Sequence, residues 1–286
     1  MARLPKYYRS RKAPVIRKMN FYLPLLALVA EYRFLNSFQI IALSSTSRSN
    51  TYLKLQKLFH NGYLERYIVP TTDFALEPRK IIYALTPKGR DLLIESDPQK
   101  WSEIYCSRPN RTLLFIRHEL MLTNFRVCLS LALEKHPYAQ LTFWKQGNEL
   151  KKLLHKQQIK GFQIIPDAYF ILKINQRELH YFLEADRGTM TLKRFYEKIQ
   201  KYNKFFHKNR KNTPRFFRVI TITLSAKRAE NLRMTTITRG LADKKESHRF
   251  WFGSETAFSL ENPKKILSYF LKIGHLKAKK KMSLLS

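Results

Sequence analysis

The stretch from Ser47 to Glu95 contains two punctuation marks that leave the chain between them little choice. Before Asn61-Gly62, the residues Tyr52, Leu55, Leu58 and Phe59 recur at helical spacing and predict one buried helix face. Gly62 then supplies the left-handed residue that ends a helix. Thr86-Pro87 is a start signal, with Thr86 as cap and Pro87 in the first turn of the next helix, "TPKGRDLLIE". Between stop and start, "YLERYIV" and "RKIIYALT" read as strands, joined by the turn-rich loop "TTDFALEP". Upstream, Leu25, Leu26, Leu28 and Val29 predict a helix from Leu23, with Pro24 in its first turn. A second helix is expected at Ser37 to Leu43, capped by Ser37 or Asn36. Ser47 or Ser49 caps the third.

Three helices followed by a hairpin is the winged helix-turn-helix layout. "LQKLFHNGYLER" with "YALTPKGRDLL" resembles that family. The resemblance implies a third helix in the DNA major groove and a hairpin wing on the backbone. Carried onto this chain, Arg48, Asn50, Thr51, Lys54 and Lys57 would face DNA. Arg48 and Asn50 suit guanine and adenine edges, and Lys54 and Lys57 suit phosphates. The alternative is a winged helix used to dock a protein.

Charge favours DNA. The 286 residues hold 54 Lys and Arg against 21 Asp and Glu, a formal charge of +33. Such an excess points to a polyanionic partner, because net charge governs association rather than fold. The cations are spread along the chain, which favours nucleic acid over a membrane surface met by one amphipathic helix. Residues 1–20 carry seven cations and no acid and predict a flexible basic arm along phosphates; Lys277, Lys279, Lys280 and Lys281 predict a disordered basic tail.

Cys106 and Cys128 provide no disulfide framework and read as buried structural thiols in a cytoplasmic chain. The eight His residues form no zinc spacing with them, so neither zinc nor an organic cofactor is expected. "FYLPLLALVA" follows a basic start, but it contains Pro24, has no cleavage signal and is too short to span a bilayer.

The length predicts two domains. The expected order is a basic arm at 1–20, a winged helix at 21–97, a linker at 98–110, an α/β domain with a mixed sheet at 111–274 and a basic tail at 275–286. In the second domain "TLLFIRHELMLTNFRVCLSLALEKH" reads as a long helix and "LTFWKQ" as a strand. A very basic helix begins at "LKRFYEKIQKY", "RFFRVITITLS" reads as a buried strand, "AKRAENLRMTTITRGLAD" as a helix, "HRFWFG" as a strand and "PKKILSYFLK" as a last helix. On the basic helix, Lys193, Arg194 and Lys201 are candidate DNA contacts, and its aromatics at helical spacing are candidate core. His118-Glu119, on an apolar helix, reads as structural.

Between these helices, "IIPDAYFILKINQRELHYFLEADRGTM" reads as a β-hairpin rich in acids. Glu184 and Asp186 lie two apart and share a face. A turn centred between Asn175 and Gln176 sets Asp167 opposite Glu184; one centred between Gln176 and Arg177 sets it opposite Asp186; one centred on Gln176 puts it off the face. Three clustered carboxylates repel unless a cation or proton joins them, and hard oxygen ligands suit Mg²⁺ or Mn²⁺. Beside DNA, the use of such a metal is phosphodiester cleavage. The alternative is a set of strand-end carboxylates paired with Lys and Arg. Glu149 is a weaker candidate ligand.

Pro166-Asp167, then Glu184 on the next strand, resembles the PD-(D/E)xK nuclease superfamily. Asp186 stands where that pattern has its lysine, and Lys193 or Lys198 on the next helix is the candidate replacement. "IPDAYF", "FLEADRGTM" and "KIQKY", downstream of a winged helix and of "RHELMLTNFRV", resemble the replication-relaxation protein family of plasmids and mobile elements. The resemblance spans roughly Leu23 to Leu224. It implies roles for Asp167, Glu184, Asp186, Gly188, Thr189, Lys198 and Tyr202, with Asp167, Glu184, Asp186 and Lys198 as the catalytic set and the three acids as metal ligands.

The expected function is a DNA-binding accessory protein for replication, relaxation or mobilisation of such an element, within which lies a divalent-metal nickase or endonuclease. The alternative is a transcriptional or copy-number regulator with an inactive nuclease fold. Duplex DNA is the expected partner, with a relaxase or replication initiator and a second copy of the chain as further candidates.

Overall fold

A computed structural model describes residues 5, 8–69, 80–107, 111–156, 164–208, 217–241, 247–272 and 281–285. The chain divides into two compact units, Met1–Thr123 and Asn124–Ser286.

The first unit runs α1 (Leu23–Tyr32), β1 (Phe34–Asn36), α2 (Ser37–Leu43), α3 (Arg48–His60), β2 (Leu64–Val69), β3 (Lys80–Leu85), α4 (Pro87–Ser96) and the single turn α5 (Pro98–Trp101). The predicted helices and hairpin strands are present, and local chemistry sets their ends. Asn36, not Ser37, caps α2: its side chain accepts from the Gln39 amide at 2.9 Å, and the Gln39 side chain accepts from the Asn36 amide at 3.0 Å. Ser47, not Ser49, caps α3. Gly62 stands at φ 80° after α3, as the stop signal requires. Thr86 Oγ1 accepts from the Gly89 amide at 3.1 Å, capping α4.

Sequence patterning missed β1. It pairs antiparallel with β3, with Phe34 opposite Ala84, so the sheet order is β1-β3-β2. Leu26, Val29, Leu35, Ile40, Leu55, Leu58 and Leu64 are fully buried in this unit. A separate cluster of Phe34, Ile82, Ala84 and Ile116 packs with Tyr67, Tyr105 and Phe115. Ile116 and Phe115 belong to the long helix α6 (Leu113–Leu133), within which the division between the units falls.

The second unit continues with β4 (Ala139–Gln146), α7 (Gly147–Lys156), β5 (Ala168–Ile174), β6 (Arg177–Asp186), α8 (Leu192–Lys208), β7 (Phe217–Thr223), α9 (Ala226–Thr236), β8 (Phe250–Ser254), β9 (Phe270–Lys272) and β10 (Lys281–Met282). They form a mixed sheet ordered β10-β9-β8-β7-β6-β5-β4. The central strands β6, β7 and β8 run parallel, and their neighbours are antiparallel. The α/β fold class with a mixed sheet is therefore as expected.

Phe195, Ile199, Tyr202, Phe205 and Phe206 of α8 are buried with Phe182, Phe217 and Phe250 of the strands and Leu232 of α9. The aromatics at helical spacing are core. The expected last helix is a correction: Pro263–Leu267 makes a short 3-10 turn, and Phe270–Lys272 is a strand. Phe270 is fully buried, its ring seated over Gly253, where an added Cβ would come within 2.8 Å. Pairing to β8 on one side and β10 on the other outweighs a weak helical pattern. Lys281 likewise pairs with Leu271 rather than ending a disordered tail, while Lys277, Lys279 and Lys280 lie outside the described residues.

Candidate acidic site and nucleic-acid interface

The acidic site is built at the carboxyl end of β6, where α8 departs, beside the end of β7, where α9 departs. In open α/β sheets this edge is where ligands bind. The β5–β6 hairpin turns on Asn175-Gln176, with Ile174 opposite Arg177 and Asn175 at φ 51°. Of the three registers open to the sequence, this one sets Asp167 opposite Glu184. Asp167 extends the ladder: its amide donates to the Leu183 carbonyl at 3.1 Å, and its Oδ2 accepts from the Ala185 amide at 2.8 Å.

Glu184 is 4% exposed. Lys198 Nζ donates to its Oε2, and the Tyr202 hydroxyl donates to its Oε1. Burial pushes the Glu184 carboxyl up to about 7; the Lys198 ammonium opposes the rise and Asp167 adds to it. Burial works against the Lys198 charge, but Glu184, Asp167 and Asp186 outweigh it and hold the ammonium above its ordinary value. Tyr202 is fully buried, so it positions Glu184 and is closed to substrate. Asp186, 7% exposed, accepts from Arg228 Nε at 2.7 Å, and Arg228 Nη2 donates to the Met190 carbonyl at 2.6 Å. Sequence reasoning missed Arg228. Its one signal is its place in the first turn of a helix that follows a buried strand.

This arrangement bears on a metal. Both oxygens of Glu184 are engaged, one by an ammonium, and Asp186 is paired with a guanidinium. Among the described residues no three His, Cys, Asp or Glu side chains form a group able to hold a metal ion. As arranged, the positive charge that the three carboxylates demand comes from Lys198 and Arg228, and Mg²⁺ or Mn²⁺ would enter only by displacing them. Glu149 pairs instead with Lys145 at 3.4 Å, and Glu119 with Arg33 at 3.7 Å. Cys128 is buried, its thiol pushed up to about 12, whereas Cys106 is half-buried.

The candidate DNA contacts divide. On α8, Lys193, Arg194, Lys201 and Lys204 are exposed on the face opposite the buried aromatics, with Glu197 among them. On α3, Arg48 and Asn50 are exposed, and Lys54 and Lys57 are half-buried. Thr51 is a correction: it is fully buried, its hydroxyl donating to the Ser47 carbonyl at 3.0 Å. Tyr52, expected inside, is 36% exposed. The loop "TTDFALEP", expected to join the two strands of the wing, lies outside the described residues.

The basic arm is corrected too, for Arg9 is used inside the first unit. Its Nε donates to the Phe59 carbonyl at 3.1 Å and its Nη2 to Glu65 at 3.0 Å. The Ser10 amide donates to His60 Nδ1 at 3.0 Å, and Asn61 Nδ2 donates to the Pro14 carbonyl at 2.9 Å.

The replication-relaxation family model matches residues 26–220, from α1 into β7 and across both α3 and the acidic hairpin. The chain belongs to the replication-relaxation family. Among solved structures, this replication-relaxation protein matches TrmBL2, an archaeal chromatin protein whose report describes a novel mode of DNA binding. That match has 13% identity, covers 81% of this chain and 71% of the other, and has a TM-score of 0.20. The restriction endonuclease FokI matches at 12% identity over 76% of this chain and 41% of its own, with a TM-score of 0.22. No curated protein matches the sequence. Among the described residues no helix is long and apolar enough to cross a membrane.

Proposed function

We propose that this chain is a DNA-binding accessory protein for replication, relaxation or mobilisation of a plasmid or other mobile element. The carrying observation is the sorting of charge on α8. Its cations stand on the exposed face, its aromatics are buried, and Glu197 is the acid among the exposed cations. A solvated helix face does not need that excess; a phosphate backbone does. In this reading the first unit is a winged helix, supported by its helix order and its β1-β3-β2 sheet, and α3 enters the major groove. A relaxase or replication initiator is the protein partner it implies.

The test is duplex binding by fluorescence anisotropy for the parent and for Lys193→Ala/Lys201→Ala/Lys204→Ala. Each lost phosphate contact flattens the log–log salt dependence by about 0.9, so the triple variant is expected to be shallower by roughly 2–3 and weaker on every sequence. Unchanged binding would remove α8 from the interface. Preference for structured RNA over duplex DNA would overturn the whole reading.

A second reading, a DNA nickase or endonuclease in a nuclease-like second domain, is favoured by one juxtaposition. Lys198 reaches Glu184 beside Asp167, as the replacement of the motif lysine requires. Its test is nicking of supercoiled plasmid with Mg²⁺, Mn²⁺ or EDTA by the parent and by Asp167→Ala/Glu184→Ala. Nicking that needs metal and vanishes in the double variant supports an enzyme. Its absence, with binding retained, supports a DNA-binding body.

A further inference from the structure

The face that α3 turns to solvent differs from the one its cations suggest. Thr51, Leu55, Leu58 and Phe59 are inside. Ser49, Tyr52, Leu53 and Gln56 are spaced at i, i+3, i+4 and i+7, so they share the opposite face. On that face Leu53 is 56% exposed and Tyr52 is 36% exposed, an apolar pair between the polar Ser49 and Gln56 of the same helix. Arg48 lies before it, with its guanidinium carbon 5.8 Å from the centroid of the Tyr52 ring, and Lys57 follows one turn beyond Leu53.

Phe38 of α2 and Phe21 are exposed in this unit as well, so area does not separate a protein partner from DNA; the cations Arg48 and Lys57 on either side of Leu53 and Tyr52 favour DNA. Leu53 and Tyr52 then meet a small apolar target. The major groove offers one apolar group, the C5 methyl of thymine, among donors and acceptors. The flanking cations suit the phosphates on either side of such a groove.

We propose that Leu53, with Tyr52 beside it, is a specificity-determining residue that selects thymine by its C5 methyl. The proposal rests on the reading of α3 as a major-groove helix. Under it, polar contacts from Arg48 and Asn50 set the register, and Leu53 chooses A·T pairs at the centre of the site.

The experiment begins with selection of sites from a random duplex pool by the full-length chain. Each thymine of the selected site is then replaced by deoxyuridine, which removes the methyl and nothing else. The expected result is a loss of about fourfold in affinity for each methyl buried against Leu53, the fold-change of withdrawing one methyl-sized group. Leu53→Ala is expected to bind the thymine and uracil duplexes equally while melting at the parent's temperature, because the side chain is exposed. A parent indifferent to the methyl overturns the proposal, as does a Leu53→Ala variant that keeps the full discrimination. Duplex binding with no enriched sequence also overturns it and leaves the DNA-binding reading standing. Absence of duplex binding overturns both.

Discussion

Glu184 shows how little a residue's type says about its charge. Its ordinary carboxyl becomes a group that titrates near neutrality because β6 carries it inside the unit, where Lys198 and Tyr202 engage its two oxygens. The sign of the consequence follows from the raised value. Below pH 4.5 the carboxyl is protonated in folded and unfolded chains alike. Between 4.5 and about 7 the unfolded chain releases its proton and the folded chain keeps it, so stability falls as pH rises and levels off above about 7. Denaturant titrations across this window are expected to show that fall in the parent and to show it flattened in Glu184→Gln, which has no proton to lose. Asp186 makes the complementary case. Its side chain is 5% exposed and that of Arg228 is 21% exposed, so Arg228→Ala leaves a buried carboxylate without its counter-ion. The expected cost is about 3–5 kcal/mol in unfolding free energy, with much of it recovered in Arg228→Ala/Asp186→Asn. Additive losses in the double variant would show that the two side chains do not act as a pair.

At the scale of elements, capping was legible and pairing was not. The helices α2, α3 and α4 begin where Asn36, Ser47 and Thr86 accept from a backbone amide, α3 stops at Asn61-Gly62, and those signals are local. Gly89 shows where locality stops. It lies inside α4, where alanine is the better helix former by about 1 kcal/mol. Yet a Cβ there would stand 2.3 Å from the Tyr63 carbonyl oxygen and 2.7 Å from Leu85. Gly89→Ala is therefore expected to destabilise the first unit by about 1–3 kcal/mol, seen as a lower melting temperature, despite its better propensity. A raised melting temperature would show that the backbone yields at that contact. The strands β1 and β9 have three residues each and carry no alternation long enough to detect. They are strands because a neighbour has an edge to pair.

At the scale of the whole molecule the charge of +33 is the dominant quantity. Part of it is used internally: Arg9 binds backbone carbonyls and Glu65, Arg33 meets Glu119, and Lys198 and Arg228 neutralise the acidic site. The exposed remainder on α3 and α8 is what a phosphate backbone would meet. If six or more phosphates are contacted, duplex affinity is expected to drop by about 10³-fold or more between 50 and 200 mM salt. A titration across that range that loses less than tenfold would mean that most of the excess charge does not touch phosphate.

By itself, the sequence determined the stop after α3 and the cap of α4, narrowed the caps of α2 and α3 to two residues each, and determined the buried aromatic face of α8, the hairpin at 164–190 and the membership that its Pro-Asp and Glu-x-Asp signals announced. Each is written in near neighbours, through hydrogen bonds to the next turn or through a period of 2 or 3.6 residues. Tertiary structure alone decided four other things: that Asp167 lies opposite Glu184, that Arg228 reaches Asp186, that Thr51 is inside while Tyr52 and Leu53 are outside, and that Arg9 binds the unit it was expected to leave. These depend on strand register and on which face a helix buries. Both are chosen by partners far away in the chain, and residue type does not encode them.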